Sequence, residues 1–101
     1  MNTTTPHTPT QTILTIARSY PALAAIMAEY NPDRFDPADF KRLIDNASSG
    51  QQLLIKIVLN IWSSAWASKH GCAINLVEIA SRLDGTHRTI LARWIQNPIY
   101  P

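Results

Sequence analysis

The sequence predicts an all-α fold, a single compact bundle of five to six helices around a central apolar helix at about 51–68. Three observations predict it. The stretch LLIKIVLNIWSSAW sets Leu53, Leu54, Ile57, Val58, Ile61, Trp62, Ala65 and Trp66 on one wide helical face, and Ile55 and Leu59 add apolar surface opposite. Helix start and stop signals recur along the chain. Strand signals are missing: there is no period-two alternation, and no Asn-Gly or Asp-Gly pair is flanked by alternating apolar residues.

Taken in order, residues 1–8 are Thr- and Pro-rich and read as a disordered tail, leaving 9–101 as a single helical domain. Thr8 is an N-cap with Pro9 at the first helical position and Gln11 placed to close a capping box. Ile13, Ile16, Ala17 and Tyr20 begin an apolar stripe that Leu23, Ala24, Met27 and Tyr30 continue in phase across Pro21. That proline implies either a kink or two helices, 9–19 and 21–30; the unbroken phase favours the kink. Asn31-Pro32 ends the element. Asp36 then caps a helix over about 37–47, with Pro37 at its start, Asp39 in its first turn, and Phe35 and Phe40 at the spacing of a hydrophobic staple.

Ser48 or Ser49 caps the central helix, whose polar residues form only a narrow strip of Gln52, Lys56, Asn60 and Ser63. Gly71 is its expected left-handed terminator. Two short helices follow, over about 75–83 with Asn75 as cap and over about 87–96, joined by Asp84-Gly85-Thr86 read as a turn. They form a C-terminal hairpin.

Composition narrows the function classes. Hydrophobic content is 46% against 16% charged, which suits a folded globule rather than a disordered chain. Lys56 and Asn60 interrupt the most apolar run, so no membrane span is expected. The opening MNTTTPHTPT has neither a positive charge nor an apolar segment, so it does not read as a secretory signal. A lone cysteine, Cys72, fits a reducing, cytoplasmic setting. Residues 1–48 set Arg18, Arg34, Lys41 and Arg42 against Glu29, Asp33, Asp36, Asp39 and Asp45, a net of −1; residues 49–101 set Lys56, Lys69, Arg82, Arg88 and Arg93 against Glu78 and Asp84, a net of +3. An anionic partner would therefore meet the C-terminal half.

Enzyme signatures are missing. Gly50, Gly71 and Gly85 are solitary, so there is no phosphate loop. His70 and Cys72 lack the remaining ligands of a zinc site, and Cys72 reads as a small core or loop residue, with a Cys–His nucleophile as a minor alternative. The carboxylates fall in capping positions rather than as an acid and base pair. Neither catalysis nor a cofactor is expected.

One stretch carries a pattern. In INLVEIASRLDGTHRTILARWI, residues 74–95, an aliphatic-Ala pair (Ile79-Ala80) is followed by Leu83, a glycine-containing link and Thr89-Ile90. Up to Ile90 this resembles the helix-turn-helix of bacterial regulators, in which the Ala permits close helix crossing and the later aliphatic plugs the angle. The sequence departs from that pattern at Asp84, where glycine is usual, and at Arg93, where an aliphatic is usual. The resemblance implies duplex DNA as partner, read by a dimer. Thr86, His87 and Arg88 would then face base edges or phosphates, with base contacts from the 86–89 segment, Thr89 included, and phosphate contacts from Arg82, Arg88 and Arg93. One alternative is a plain hairpin packed on the core with its arginines solvated; another is a helical protein-interaction module, such as a small inhibitor or complex subunit, that uses apolar surface. There Ile55, Leu59 and Trp94 are the candidate interface to a protein partner or a second copy, unless the N-terminal helices cover Ile55 and Leu59.

Overall fold

The computed structural model describes residues 8–101, and the tail expected over 1–8 lies, Thr8 apart, outside them. Among the described residues the chain is all-α, with no strand. Its elements are α1 (Pro9–Arg18), α2 (Pro21–Ile26), α3 (Pro37–Lys41), a 3-10 helix (Arg42–Asn46), α4 (Ser49–Trp62), α5 (Ser64–Lys69), α6 (Leu76–Arg82) and α7 (Gly85–Gln96).

Local signals place most of the helix starts. Thr8 and Gln11 form the full capping box of α1, and Ser48 and Gln51 form that of α4. Asp36 accepts from the Ala38 N–H at 3.0 Å, and Asn75 from the Glu78 N–H at 2.7 Å. Each satisfies backbone donors that the first turn leaves free. Phe35 and Phe40 are both buried, with ring centroids 5.3 Å apart, as a staple requires.

The described residues form seven α-helices and a 3-10 helix where five to six helices were expected, because several boundaries differ from the sequence reading. The chain breaks at Pro21 into two helices rather than a kink, and the second stops at Ile26 instead of 30, so Met27 and Tyr30 continue the stripe from the chain beyond it. Tyr20, which precedes the proline, takes an extended conformation (φ −90°, ψ 113°), because the proline ring disfavours helical geometry there. The helix at 37–47 tightens after Lys41 into 3-10 geometry. The central helix stops at Trp62: Ser63 is extended (φ −163°, ψ 109°), and its hydroxyl caps α5 by accepting from the Trp66 N–H at 3.1 Å. A serine side chain competes for backbone donors in this way and favours such breaks. Trp62 and Trp66 consequently serve different neighbours, Trp62 against Phe35 at 4.6 Å and Trp66 stacked on His70 at 4.0 Å.

Helix α4 is the centre. Leu53, Leu54, Ile55, Ile57, Val58 and Leu59 are all buried, with α1, α2, α3, the 3-10 helix, α5 and α6 packed around them. Each such side chain contributes about 1.5–3 kcal/mol by leaving water. Ile55 and Leu59 are both 0% exposed, so the chain itself covers them and they are not a partner surface. Three polar side chains of α4 tie it to neighbouring backbone. Gln51 donates to the Ala22 carbonyl (3.1 Å), Gln52 to that of Ala47 (3.2 Å), and Asn60 to that of Cys72 (2.9 Å).

After α5 the chain reverses through a Schellman motif. Gly71 has φ 74°, its N–H reaches the Ser68 carbonyl, and the Cys72 N–H reaches that of Ala67 at 2.7 Å. Cys72 and Ala67 are both buried, which supplies the apolar contact that accompanies the motif. Among the described residues no helix is long and apolar enough to cross a membrane.

Candidate nucleic-acid interface

The hairpin at 74–95 exists as α6 and α7, but its joint is shorter than expected. Gly85 and Thr86 are already helical, and only Leu83 and Asp84 link the two helices. Leu83 is buried, while Asp84 has extended geometry (φ −71°, ψ 170°) and caps α7 by accepting from the His87 N–H at 2.9 Å. Ala80, which the resemblance puts at the helix crossing, is exposed; Ile79, Leu83 and Ile90 carry the apolar packing instead.

His87, placed by the sequence among base-reading residues, is 8% exposed and ties the hairpin to the rest of the fold. Its Nε2 accepts from the Ala22 N–H at 3.2 Å, and its Nδ1 lies 2.7 Å from the Asp84 carboxylate. Accepting at Nε2 requires a lone pair there, so the proton sits on Nδ1 and is donated to Asp84. The ring also stacks on Tyr20, with centroids 6.2 Å apart and planes at 15°. Both nitrogens are spent on the protein, which takes His87 off the reading surface. The backbone and ring N–H groups of His87 hold the Asp84 carboxyl below the usual carboxylate range.

The remaining candidates lie on the outer face. Helix α7 turns His87, Ile90, Leu91 and Trp94 inward and leaves Thr86, Arg88, Thr89, Ala92, Arg93, Ile95 and Gln96 exposed. At 3.6 residues per turn, Thr89, Ala92 and Gln96 fall on one narrow ridge, and Arg88 and Arg93 lie on its two sides about 140° apart. Arg88 leans toward α6, its Nη1 3.5 Å from the Ala80 carbonyl, whereas Arg93 lines an open cleft shared with α1. Thr89 donates its hydroxyl to the Gly85 carbonyl at 2.9 Å. Arg82 is exposed on α6 and paired with Glu78 at 3.8 Å, a surface pair worth well under about 1 kcal/mol and easily exchanged for another anion. Helix α7 contains no carboxylate.

Trp94 is half-buried. Its Nε1 donates to the Ile99 carbonyl at 2.9 Å, and Tyr100 meets its ring edge-on at 5.7 Å. The sequence reading did not anticipate four participants: Asp84 as cap and His87 partner, Ala22 as donor to His87, and the ridge residues Ala92 and Gln96. An Asp three residues before a His was a visible signal for the first. Nothing local marks the second.

Cys72 is buried, and its thiol leans on the His70 carbonyl at 3.6 Å. Among the described residues no three His, Cys, Asp or Glu side chains gather as a metal site would require. No family model matches the chain, and comparisons with curated proteins and with solved structures found no match either.

Proposed function

We propose that the chain is a small duplex-DNA-binding module that presents α7 to the major groove. One observation carries this reading: the outer face of α7 bears a narrow ridge of small and polar residues with an arginine on each side, Ile95 exposed beside Arg88, and the only nearby carboxylate is that of the cap Asp84. A groove bounded by two phosphate strands suits such a face. Thr89, Ala92 and Gln96 would meet base edges, with Arg88 and Arg93 on opposite backbones and Arg82 extending the phosphate contacts. Thr86 lies in the first turn of α7, near the start of the ridge.

The test is anisotropy of a labelled random-sequence duplex at two salt concentrations. Three phosphate contacts predict a slope of about −2.7 for log affinity against log salt, and removing Arg88 and Arg93 together reduces it by roughly 2. No binding at low salt, or an Arg88→Ala, Arg93→Ala variant that binds as the parent does, overturns the reading.

A second reading rests on its own observation. Leu76 and Val77 are 83% and 78% exposed at the start of α6, far beyond what a solvated helix needs. A protein-interaction module that pairs with a second copy through α6 would cover them. Sedimentation of the parent beside a Leu76→Ser, Val77→Ser variant decides it: a concentration-dependent dimer lost in the variant supports pairing, and a parent that stays monomeric at high concentration excludes it.

A further inference from the structure

His87 is the one buried side chain of α7; Ile90, Leu91 and Trp94, which also face inward, are half-buried. The anchor of this helix is therefore a titratable ring. Each neighbouring element sets a different group against it. The Asp84 carboxylate meets Nδ1 at 2.7 Å, and the Ala22 N–H of α2 meets Nε2 at 3.2 Å. From α6, Arg82 lines the same small cavity of about 150 Å³, and its guanidinium also pairs with Glu78. From α4 and its cap come Ser48, Gln51 and Leu54, none of them titratable. Tyr20 stacks on the ring, and its hydroxyl, pushed up to about 12 by burial, stays neutral wherever histidines titrate.

We propose that His87 is a pH-sensitive latch: a proton gained at Nε2 opens the joint between α7 and α2 while leaving α7 itself capped. Two groups pull the ring in opposite directions. The Asp84 carboxylate, 2.7 Å from Nδ1, favours an imidazolium. The Ala22 N–H does not, because an imidazolium has donors at both nitrogens and no lone pair with which to accept. Two N–H groups then face each other across 3.2 Å. The pair with Asp84 spans three residues and moves with α7, whereas the bond to Ala22 spans 65, so the second gives way. The Asp84 cap on the His87 backbone N–H does not involve the ring. Gln51 still holds the Ala22 carbonyl, which keeps α2 seated on α4, so the movement falls on α7. Acid thus loosens α7 without uncapping it. The latch does not depend on what α7 meets, and its test contains no DNA.

The test follows the full chain, labelled with nitrogen-15, from about pH 8 to about pH 5, the span in which histidines change charge. Long-range nitrogen–proton spectra should show neutral His87 with its proton on Nδ1 and Nε2 bare, then a proton arriving on Nε2 in acid. Over the same span the Ala22 amide, corrected for the intrinsic pH dependence of exchange, should lose protection roughly tenfold or more, while Val58 in the middle of α4 keeps its own. A variant with His7→Gln and His70→Gln retains this step. His87→Phe removes it and leaves Ala22 poorly protected at every pH. The ring spectra use the unaltered protein, so the tautomer requirement is tested whatever a variant does to folding. Four outcomes overturn the proposal: a neutral His87 protonated on Nε2, a ring that gains no proton across the span, Ala22 protection that stays flat or falls only together with Val58, and a step that survives His87→Phe.

Discussion

Replacing His87 by Phe isolates what the imidazole nitrogens contribute. A phenyl ring is close in size and can keep the stack on Tyr20, so the apolar part of the site survives. Asp84 still caps α7 through the residue 87 backbone N–H, so the helix start survives as well. What goes is the acceptor for the Ala22 N–H and the donor to Asp84. The Ala22 N–H belongs to the first turn of α2, has no partner within its helix, and lies half-buried. Stranding it costs about 1–3 kcal/mol, and losing the bond to the well-hydrated Asp84 adds little beside that. A total near 2 kcal/mol lowers Tm by roughly 8–16 °C for a domain of this size. Urea unfolding followed by circular dichroism measures the first figure and a thermal melt the second. Hydrogen exchange at the Ala22 amide adds a local readout, because the stranded N–H should exchange faster than its α2 neighbours. A loss below about 0.5 kcal/mol with unchanged Ala22 exchange would refute the argument that His87 joins the hairpin to α2 through its nitrogens.

Three further outcomes follow from the same structure. Gly71→Ala forces a side chain into φ 74°, and since the added Cβ meets nothing within 4 Å the cost is conformational, about 1 kcal/mol or a 4–8 °C fall in Tm; an unchanged melt would count against a left-handed requirement there. Burial pushes the Tyr20 hydroxyl up to about 12 from its ordinary 10.0, so the folded state keeps its proton longer and stability falls as pH rises from 10 toward 12. Tyr20→Phe should raise stability by about 1 kcal/mol at neutral pH and shrink that alkaline loss, leaving the part due to Tyr30, pushed up to about 12 by burial and by Asp39 and Asp36; a destabilised variant contradicts this. The Asp84 carboxyl sits below its usual 3.8, so its contribution is present above that value and is lost as pH falls through the carboxylate range. Asp84→Asn, still able to cap, should show a shallower acid limb when Tm is measured from pH 7 to 2, and parallel curves would refute it.

What the sequence made legible was whatever depends on a few adjacent residues. Thr8, Asp36, Ser48 and Asn75 cap helices because a side-chain oxygen three or so residues ahead of a free N–H needs no help from the rest of the chain. Gly71 terminates α5 for an equally local reason. The apolar periodicity of 53–59 identified the centre, but it continues in phase past Ser63 and so concealed the break there. Asp84 was ambiguous on local grounds, since an Asp before Gly suits a turn as well as a cap. His87 is different in kind. Nothing near it in sequence reveals that a backbone N–H from α2 will meet its ring, so its type and position on α7 suggested a surface role. The polar strip of α4 misled for the same reason: Gln52 and Asn60 are ordinary surface residues until the carbonyls of Ala47 and Cys72 arrive beside them.

The bond between Ala22 and His87 closes a loop of 65 residues, and that length bears on how the chain folds. Joining segments so far apart costs on the order of 4 kcal/mol in chain entropy before any contact repays it. Once Gln51 holds the Ala22 carbonyl and Asn60 that of Cys72, the loop left to close is far shorter, so this contact becomes cheap only after the α4 core has formed. Excised from the chain, α6 and α7 would lose the surface that orients them, so their arrangement belongs to the whole circuit and could not be grafted elsewhere as a motif. The outer ridge of α7 carries no packing duty, while the inward His87 is held by a backbone N–H of a helix more than sixty positions away.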